Sequence, residues 1–335
     1  MIILFEPWNL GDAIIAASVA RLDPSRFILA CNGNWHEVLS LASEGSLNLI
    51  PLDLPYVWRK NKPFFSLGNA ASLRSFFSSA ERQQIELISI RGDVRDWVAA
   101  HRIFNGAKFS FTGWRPFLAR KLSLFDHPYA SGTLQVRNRY RAWAEATGTP
   151  FSHIEQSYLH HSEPQPDTPA IIHVGAQWRS KQYPHVAELA DLLRSRGKQV
   201  MILAGPDDPL PPGISEDSLQ RPQWQKLIQY LKNADQVICN DSGPMHLAAF
   251  IGCRTIALSR CSNISEWLPP GVKALSSSSA PRGYRPIPSY WSDRILPDWP
   301  VADEVVTHLF AEGRHKSSPN RVLFNPQPPT LTNVL

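Results

Sequence analysis

The 335-residue sequence predicts an α/β protein made of two doubly wound lobes. Three observations carry that expectation. Short, nearly uninterrupted apolar runs alternate with amphipathic stretches along both halves, as parallel strands covered by helices on both faces do. A polar, proline-rich stretch separates the halves. Three of the apolar runs end in turns of small and polar residues, at the strand ends where open α/β sheets bind ligands.

Taken in order, the first half holds strand candidates at Ile2–Phe5, Phe27–Cys31, Leu47–Pro51 and Ile85–Ile90, with a helix predicted over Ala13–Arg21. The stretch His161-Ser162-Glu163-Pro164-Gln165-Pro166-Asp167-Thr168-Pro169 follows, and each proline resists helix and inner strand alike. It marks a linker, 161–169, between an N-terminal domain, 1–160, and a C-terminal domain, 170–310. In the second half, strands are predicted at Ala170–Val174, Gln199–Leu203, Gln236–Cys239 and Arg254–Leu258. Helices are predicted at His185–Ser195, with Val186, Leu189, Ala190, Leu192 and Leu193 on one side, and at Pro244–Ile251. Residues 276–300, rich in Ser and Pro, read as irregular, Val301–Phe310 as a closing helix, and 311–335 as a loosely ordered tail. Two such Rossmann-like halves on one linker face each other across a central cleft.

Composition removes several classes. Apolar residues make up 43% of the chain and charged residues 19%, too apolar for a disordered polyelectrolyte. No stretch approaches the ~18 apolar residues that span a bilayer. Met1–Glu6 lacks the basic segment and cleavage site of a signal peptide and reads as a strand. Cys31, Cys239, Cys253 and Cys261 form no CxxC pair and no zinc spacing with His. They suit buried thiols in a reduced, cytoplasmic protein. Residues 1–160 carry 17 basic and 13 acidic side chains, most of the net +5. That bias suits an anionic substrate or a membrane surface, although ordinary surface scatter explains it equally well. No dense basic run or binding motif points to nucleic acid.

The first candidate constellation is Asn9-Leu10-Gly11-Asp12, after the opening strand. Gly11 permits a tight turn and close approach of a ligand. Asp12 is expected at a helix start inside the cleft, where the helix dipole alone also favours an acid. The second is Gly175-Ala176-Gln177-Trp178-Arg179-Ser180-Lys181-Gln182-Tyr183-Pro184, opening the second half. Small residues at 175 and 176 let a diphosphate approach backbone N–H groups, and Lys181 offers a compact positive charge. The spacing is not that of a Walker loop. The third is Asn240-Asp241-Ser242-Gly243-Pro244-Met245-His246, between a strand and an apolar helix. Asp241 or Ser242 supplies an N-cap and Pro244 suits the first turn. Such a helix start also presents N–H groups and positive dipole to an anion. Capping requires neither Gly243 nor His246.

These segments, in this order, resemble the ADP-heptose:lipopolysaccharide heptosyltransferases of glycosyltransferase family 9. That family begins with a strand and a Gly-Asp loop, continues with Gly-Ala-Ser…Lys-x-Trp-Pro after the linker, and carries Asp-Thr-Gly-x-x-His-x-x-Ala. Here they read Gly11-Asp12, Gly175-Ala176…Lys181-Gln182-Tyr183-Pro184 and Asp241-Ser242-Gly243-Pro244-Met245-His246-Leu247-Ala248-Ala249. Ala204-Gly205-Pro206-Asp207-Asp208 and Leu87–Asp93 also resemble family segments. The resemblance covers about residues 1–310. The family's Thr-Pro after the first loop is Ala17-Ser18 here, and its Gly-Pro-Thr is Ser259-Arg260-Cys261-Ser262.

The resemblance implies a GT-B fold and inverting, metal-independent transfer of a heptose or related sugar, with no cofactor. The donor would be an ADP-sugar and the acceptor an anionic glycolipid such as lipopolysaccharide core. It implies Asp12 as general base. Gly11, Gly175, Lys181, Asp241, Ser242, Gly243 and His246 would bind the donor, with Lys181, the helix-start amides and His246 on the departing diphosphate. Acceptor-binding candidates are Arg59, Lys60 and Lys62 around Trp58, and Arg91 and Arg95 around Asp93. Trp178 touches the nucleotide or packs. The expected location is the cytoplasm, with peripheral contact at the inner face of the inner membrane. Two other readings stay open: a GT-B-like sugar-nucleotide enzyme such as an epimerase, and a catalytically degenerate sugar-nucleotide-binding protein.

Overall fold

The computed structural model describes residues 1–54, 57, 77, 79–91, 93–111, 138–159, 168–177, 179–260, 264–276 and 298–313. The first half contains β1 (Ile2–Glu6), α1 (Leu10–Ala20), β2 (Phe27–Asn32), α2 (Gly33–Ala42), β3 (Leu49–Leu52), α3 (Ser79–Gln83), β4 (Glu86–Ser89), α4 (Val94–Ile103) and β5 (Lys108–Phe111). Helices α5 (Arg139–Thr147) and α6 (Phe151–Ser157) follow. The second half contains β6 (Ala170–His173), α7 (Val186–Ser195), β7 (Val200–Leu203), β8 (Leu219–Gln220), α8 (Trp224–Lys232), β9 (Gln236–Asn240) and α9 (Gly243–Ile251). It closes with β10 (Thr255–Leu258), α10 (Ile264–Trp267), β11 (Lys273–Leu275) and α11 (Ala302–Gly313).

All eight strands expected from the sequence are present, with ends shifted by one or two residues. The reason is visible in their burial: β1, β6, β9 and β10 bury nearly every side chain on both faces, so their sequences are unbroken apolar runs. Both sheets are parallel throughout. Their orders are β3-β2-β1-β4-β5 and β11-β10-β9-β6-β7-β8. Each order reverses direction beside its first strand, between β1 and β4 in one sheet and between β6 and β9 in the other. The crevice at such a reversal, beyond the carboxyl ends of the strands, is where this architecture binds ligands.

Helix α1 begins three residues earlier than expected, so Gly11 and Asp12 lie inside its first turn. The closing helix extends to Gly313, into the stretch expected as tail. Helix α1 is buried on almost every side. Its apolar residues share one continuous core with α9 of the other sheet and with Tyr140, Trp143 and Tyr158 of α5 and its neighbour α6. Arg21, just past α1, locks this seam: Nη1 donates to Phe250 O (2.8 Å), Nη2 donates to Ser157 Oγ (2.6 Å), and the guanidinium lies over the Phe250 ring. Asn138 ties α5 to the 265–268 segment through Leu268 O (2.9 Å), and Arg139 pairs with Glu266 at 3.3 Å. Cys31, Cys239 and Cys253 are buried free thiols, and burial raises all three thiol pKa values. Among the described residues, no helix is long and apolar enough to cross a membrane.

Candidate active site

At the first reversal, β1 runs parallel to β4, with Ile2 level with Glu86 and Leu4 with Ile88. The carboxyl ends of both strands therefore project Glu6, the first turn of α1, and Arg91 toward one place. Arg91 Nη1 stands 3.1 Å from Asp12 Oδ2 and 3.7 Å from Glu6 Oε1. Its guanidinium lies over the Trp8 indole, 4.2 Å from the ring centroid, a cation–π contact strengthened by desolvation. Trp8 Nε1 in turn donates to the buried Asp96 (2.8 Å). Burial, and then the nearby Asp12 charge, push the Glu6 carboxyl well above the usual range.

Arg91 and Arg95 were expected to meet acceptor anions. Within the chain both already meet carboxylates. Arg95 forks onto Asp93, with Nε to Oδ1 at 2.9 Å and Nη2 to Oδ2 at 2.6 Å, and Asp93 also caps α4. Arg59, Lys60, Lys62, Trp58 and Trp178 lie outside the described residues.

At the second reversal, Lys181 Nζ lies 2.8 Å from Asp241 Oδ2. Asn240 joins the strand ends: its Nδ2 donates to Val174 O (2.8 Å) and its Oδ1 accepts from Tyr183 N (3.1 Å). That fixes the Lys181 turn against the start of α9. Ser242 occupies the cap position of α9 without capping it, because its hydroxyl donates to Asn240 O (3.3 Å). Pro244 has no N–H, and the Met245 amide bonds Ser242 O. The Gly243 amide is left as the donor at this helix start, with the positive end of the dipole behind it. Among the described residues the expected side-chain cap is therefore absent.

Gly175 is required from within. A Cβ there would fall 2.0 Å from Asp208 Oδ2 and 2.9 Å from His173 Cε1. Asp208 accepts the Gly205 amide (2.7 Å), so the Gly-Pro-Asp-Asp turn buttresses the loop after β6.

The two reversals meet where the helix starts touch. A Cβ at Gly11 would lie 2.8 Å from His246 Cδ2, and one at Gly243 would lie 3.3 Å from Leu10 Cβ. Neither glycine has positive φ. The tight turn expected at Gly11 is thus replaced by ordinary helix. What the missing side chain permits is close approach of α1 to α9. Asp12 and Asp241 both lie near enough to His246 for their charges to act on it. Burial dominates, however, and holds that imidazole's pKa down to about 4. Its Nδ1 is 2.8 Å from Tyr140 Oη.

Glu6, Trp8 and Tyr140 were not singled out from sequence, while Asp208 and Asn240 were named only as members of motifs. Glu6 and Asn240 had a local signal, each being a polar residue that closes an apolar strand. Tyr140 had none, because its partner is 106 residues away.

Comparison with known proteins agrees with this geometry. The model of glycosyltransferase family 9 (heptosyltransferase) matches residues 97–286, more than half of the chain. Escherichia coli ADP-heptose lipopolysaccharide heptosyltransferase II is 17% identical over 92% of this chain and 97% of its own, with a TM-score of 0.61. E. coli heptosyltransferase WaaC with ADP is 16% identical over 93% and 99%, with a TM-score of 0.57. A family 9 glycosyl transferase from Veillonella parvula is 17% identical over 82% and 84%, with a TM-score of 0.58. At these identities the likeness establishes the GT-B fold. No curated protein sequence matches the chain. Two parallel sheets whose reversal points meet where α1 packs on α9, and a family match spanning Lys181 and the whole 241–249 segment, lead to one conclusion: the chain is a glycosyltransferase and belongs to glycosyltransferase family 9 (heptosyltransferase).

Proposed function

We propose that the protein transfers a heptose, or a closely related sugar, from an ADP-sugar to an anionic glycolipid acceptor such as lipopolysaccharide core, inverting the anomeric centre. The observation that supports this reading is the meeting of α1 with α9, which brings the first turn of α1, with Asp12, to the uncapped start of α9. Asp12 takes the proton of the acceptor hydroxyl as that oxygen attacks the anomeric carbon. Its Oδ2 is held by Arg91, which leaves Oδ1 to meet the hydroxyl. As the sugar–phosphate bond breaks, charge builds on the departing diphosphate. Lys181 and the Gly243 amide stabilise it from the other wall. Lys181 is pre-oriented for this by Asp241. The basic bias of residues 1–160 suits an acidic acceptor and peripheral contact with an anionic membrane surface.

Thermal-shift titration of the purified protein with ADP-heptose, ADP-glucose, UDP-sugars and free ADP tests the donor. A ligand that binds only the folded state raises the melting temperature. ADP-heptose is expected to raise it more than any UDP-sugar. A larger rise with a UDP-sugar would refute the donor assignment.

A further inference from the structure

We propose that Glu6 is a positioning residue for Asp12, acting through Arg91: it is a second seat to which the guanidinium turns as Asp12 takes the acceptor's proton. This rests on the reading of Asp12 as general base given above.

One nitrogen stands between two carboxyl groups. Arg91 Nη1 donates to Asp12 Oδ2 at 3.1 Å. The same Nη1 stands 3.7 Å from Glu6 Oε1, an ion-pair distance too long for a hydrogen bond. Glu6 Oε1 is buried and accepts no hydrogen bond. Buried polar atoms left in this way are rare in folded chains. A shift of about half an ångström would bring Nη1 within the ~3.2 Å of a hydrogen bond to it. The platform beneath permits such a shift. The guanidinium lies 4.2 Å from the Trp8 ring centroid, and sliding across an aromatic face keeps the cation–π attraction. Trp8 itself is pinned at two points, its Nε1 donating to Asp96 (2.8 Å) and its carbonyl accepting from Trp35 Nε1 (2.7 Å).

Proton transfer supplies the reason to move. As the acceptor oxygen bonds the anomeric carbon, the sugar–phosphate electron pair leaves on the diphosphate and the hydroxyl proton passes to Asp12. Asp12 is then neutral, and the ion pair that held Arg91 to it is lost. Of the other carboxyl groups around the guanidinium, Asp96 already accepts from Trp8, whereas Glu6 keeps an oxygen vacant. The two acids are also coupled. After burial, the Asp12 charge is the largest cause raising the Glu6 carboxyl, and neutralising Asp12 removes that cause. Glu6 therefore becomes the better anion for Arg91 as Asp12 ceases to be one. The shift of Arg91 itself moves no proton. The other charged groups facing this set are Asp93, paired with Arg95, and Asp96. Across α9 they are Asp241 and Lys181 around His246.

The test is the pH dependence of heptose transfer from ADP-heptose to a lipopolysaccharide-core acceptor. Glu6→Gln keeps the shape of the side chain and removes its charge. Arg91 then bears undivided on Asp12, and a guanidinium held on a base opposes its protonation. The variant should lose about tenfold in kcat, the worth of one hydrogen bond. KM for both substrates should stay unchanged, and the acid limb of kcat should move to lower pH. Glu6→Asp keeps the charge, set one methylene back, and should fall between Glu6→Gln and the wild type. A merely structural Glu6 would instead lower the melting temperature and the active fraction and leave the limb in place. That result, or wild-type kcat in Glu6→Gln, overturns the proposal. Should Glu6→Gln not fold, Glu6→Asp is compared with the wild type, and an unmoved limb there overturns it. Asp12→Asn separates the two readings. Full transfer in Asp12→Asn, or no transfer by the wild type, refutes the sugar-transfer reading and the role of Glu6 with it. Lost transfer in Asp12→Asn beside an unaltered Glu6→Gln refutes the role of Glu6 alone.

Discussion

The two reversal points share a topology and differ in charge. Beside β1 and β4, three carboxylates, from Glu6, Asp12 and Asp96, surround one guanidinium held on an indole face. Beside β6 and β9, one lysine pairs with one aspartate at an uncapped helix start. The same strand order therefore yields one wall with an acid held by an arginine and another with a lysine beside an uncapped helix start. The arrangement of strands supplies only the crevice. The residue at the end of each strand decides the chemistry.

Asp12→Asn breaks the first wall hardest. Removing a positioned general base should slow sugar transfer by about 10²–10⁴-fold, with ADP-sugar affinity by calorimetry nearly unchanged. Full activity in that variant would take the base role from Asp12.

Acid should act next, at the buried histidines. Burial lowers the pKa of His246 and of His173 to about 4, against roughly 6.5 in an unfolded chain. Between about pH 6.5 and 4 the unfolded state binds more protons, so stability falls as pH falls through that window. The contribution is about 3 kcal/mol per histidine at most. Denaturant unfolding at pH 7 and pH 5 measures it, and His246→Gln should flatten part of the slope. A stability independent of pH in this range would contradict the buried, neutral assignment.

On the second wall, Lys181→Ala should weaken ADP binding by about 10–10²-fold, the worth of a charge-assisted hydrogen bond. An unchanged ADP titration would confine Lys181 to its pairing with Asp241.

The smallest effect concerns the seam between the walls. Gly11→Ala would drive a Cβ against the His246 ring, which Tyr140 holds in place. Overpacking of this kind should cost about 1–2 kcal/mol, read as a lower melting temperature with impaired transfer. Wild-type stability in that variant would mean that the helices have room to part.

Much of this was legible locally. The strands of the two sheets declare themselves because both faces are buried, as in the runs Ile2–Glu6 and Gln236–Asn240. Three of the four edge strands were not legible, Lys108–Phe111, Leu219–Gln220 and Lys273–Leu275, which are short and carry polar residues, whereas the edge strand Leu49–Leu52 was read from its apolar run. In the site, Gly11, Asp12, Lys181, Asp241 and Gly243 announced themselves as small or charged residues at strand-to-helix turns. Arg91 was noticed without its partner inside the chain. Its residue type suggested a ligand anion, and only the register of β4 against β1 reveals that it also reaches Asp12.

By itself the order of apolar runs determined two parallel sheets and which turns follow their carboxyl ends, because these depend on neighbours a few residues apart. Tertiary structure alone decided that Gly11 faces His246, that Arg91 holds Asp12, and that the Tyr140 hydroxyl meets the His246 ring. Those contacts join residues tens to hundreds of positions apart. Their geometry exists only once α1 and α9 are packed, so no local pattern encodes it.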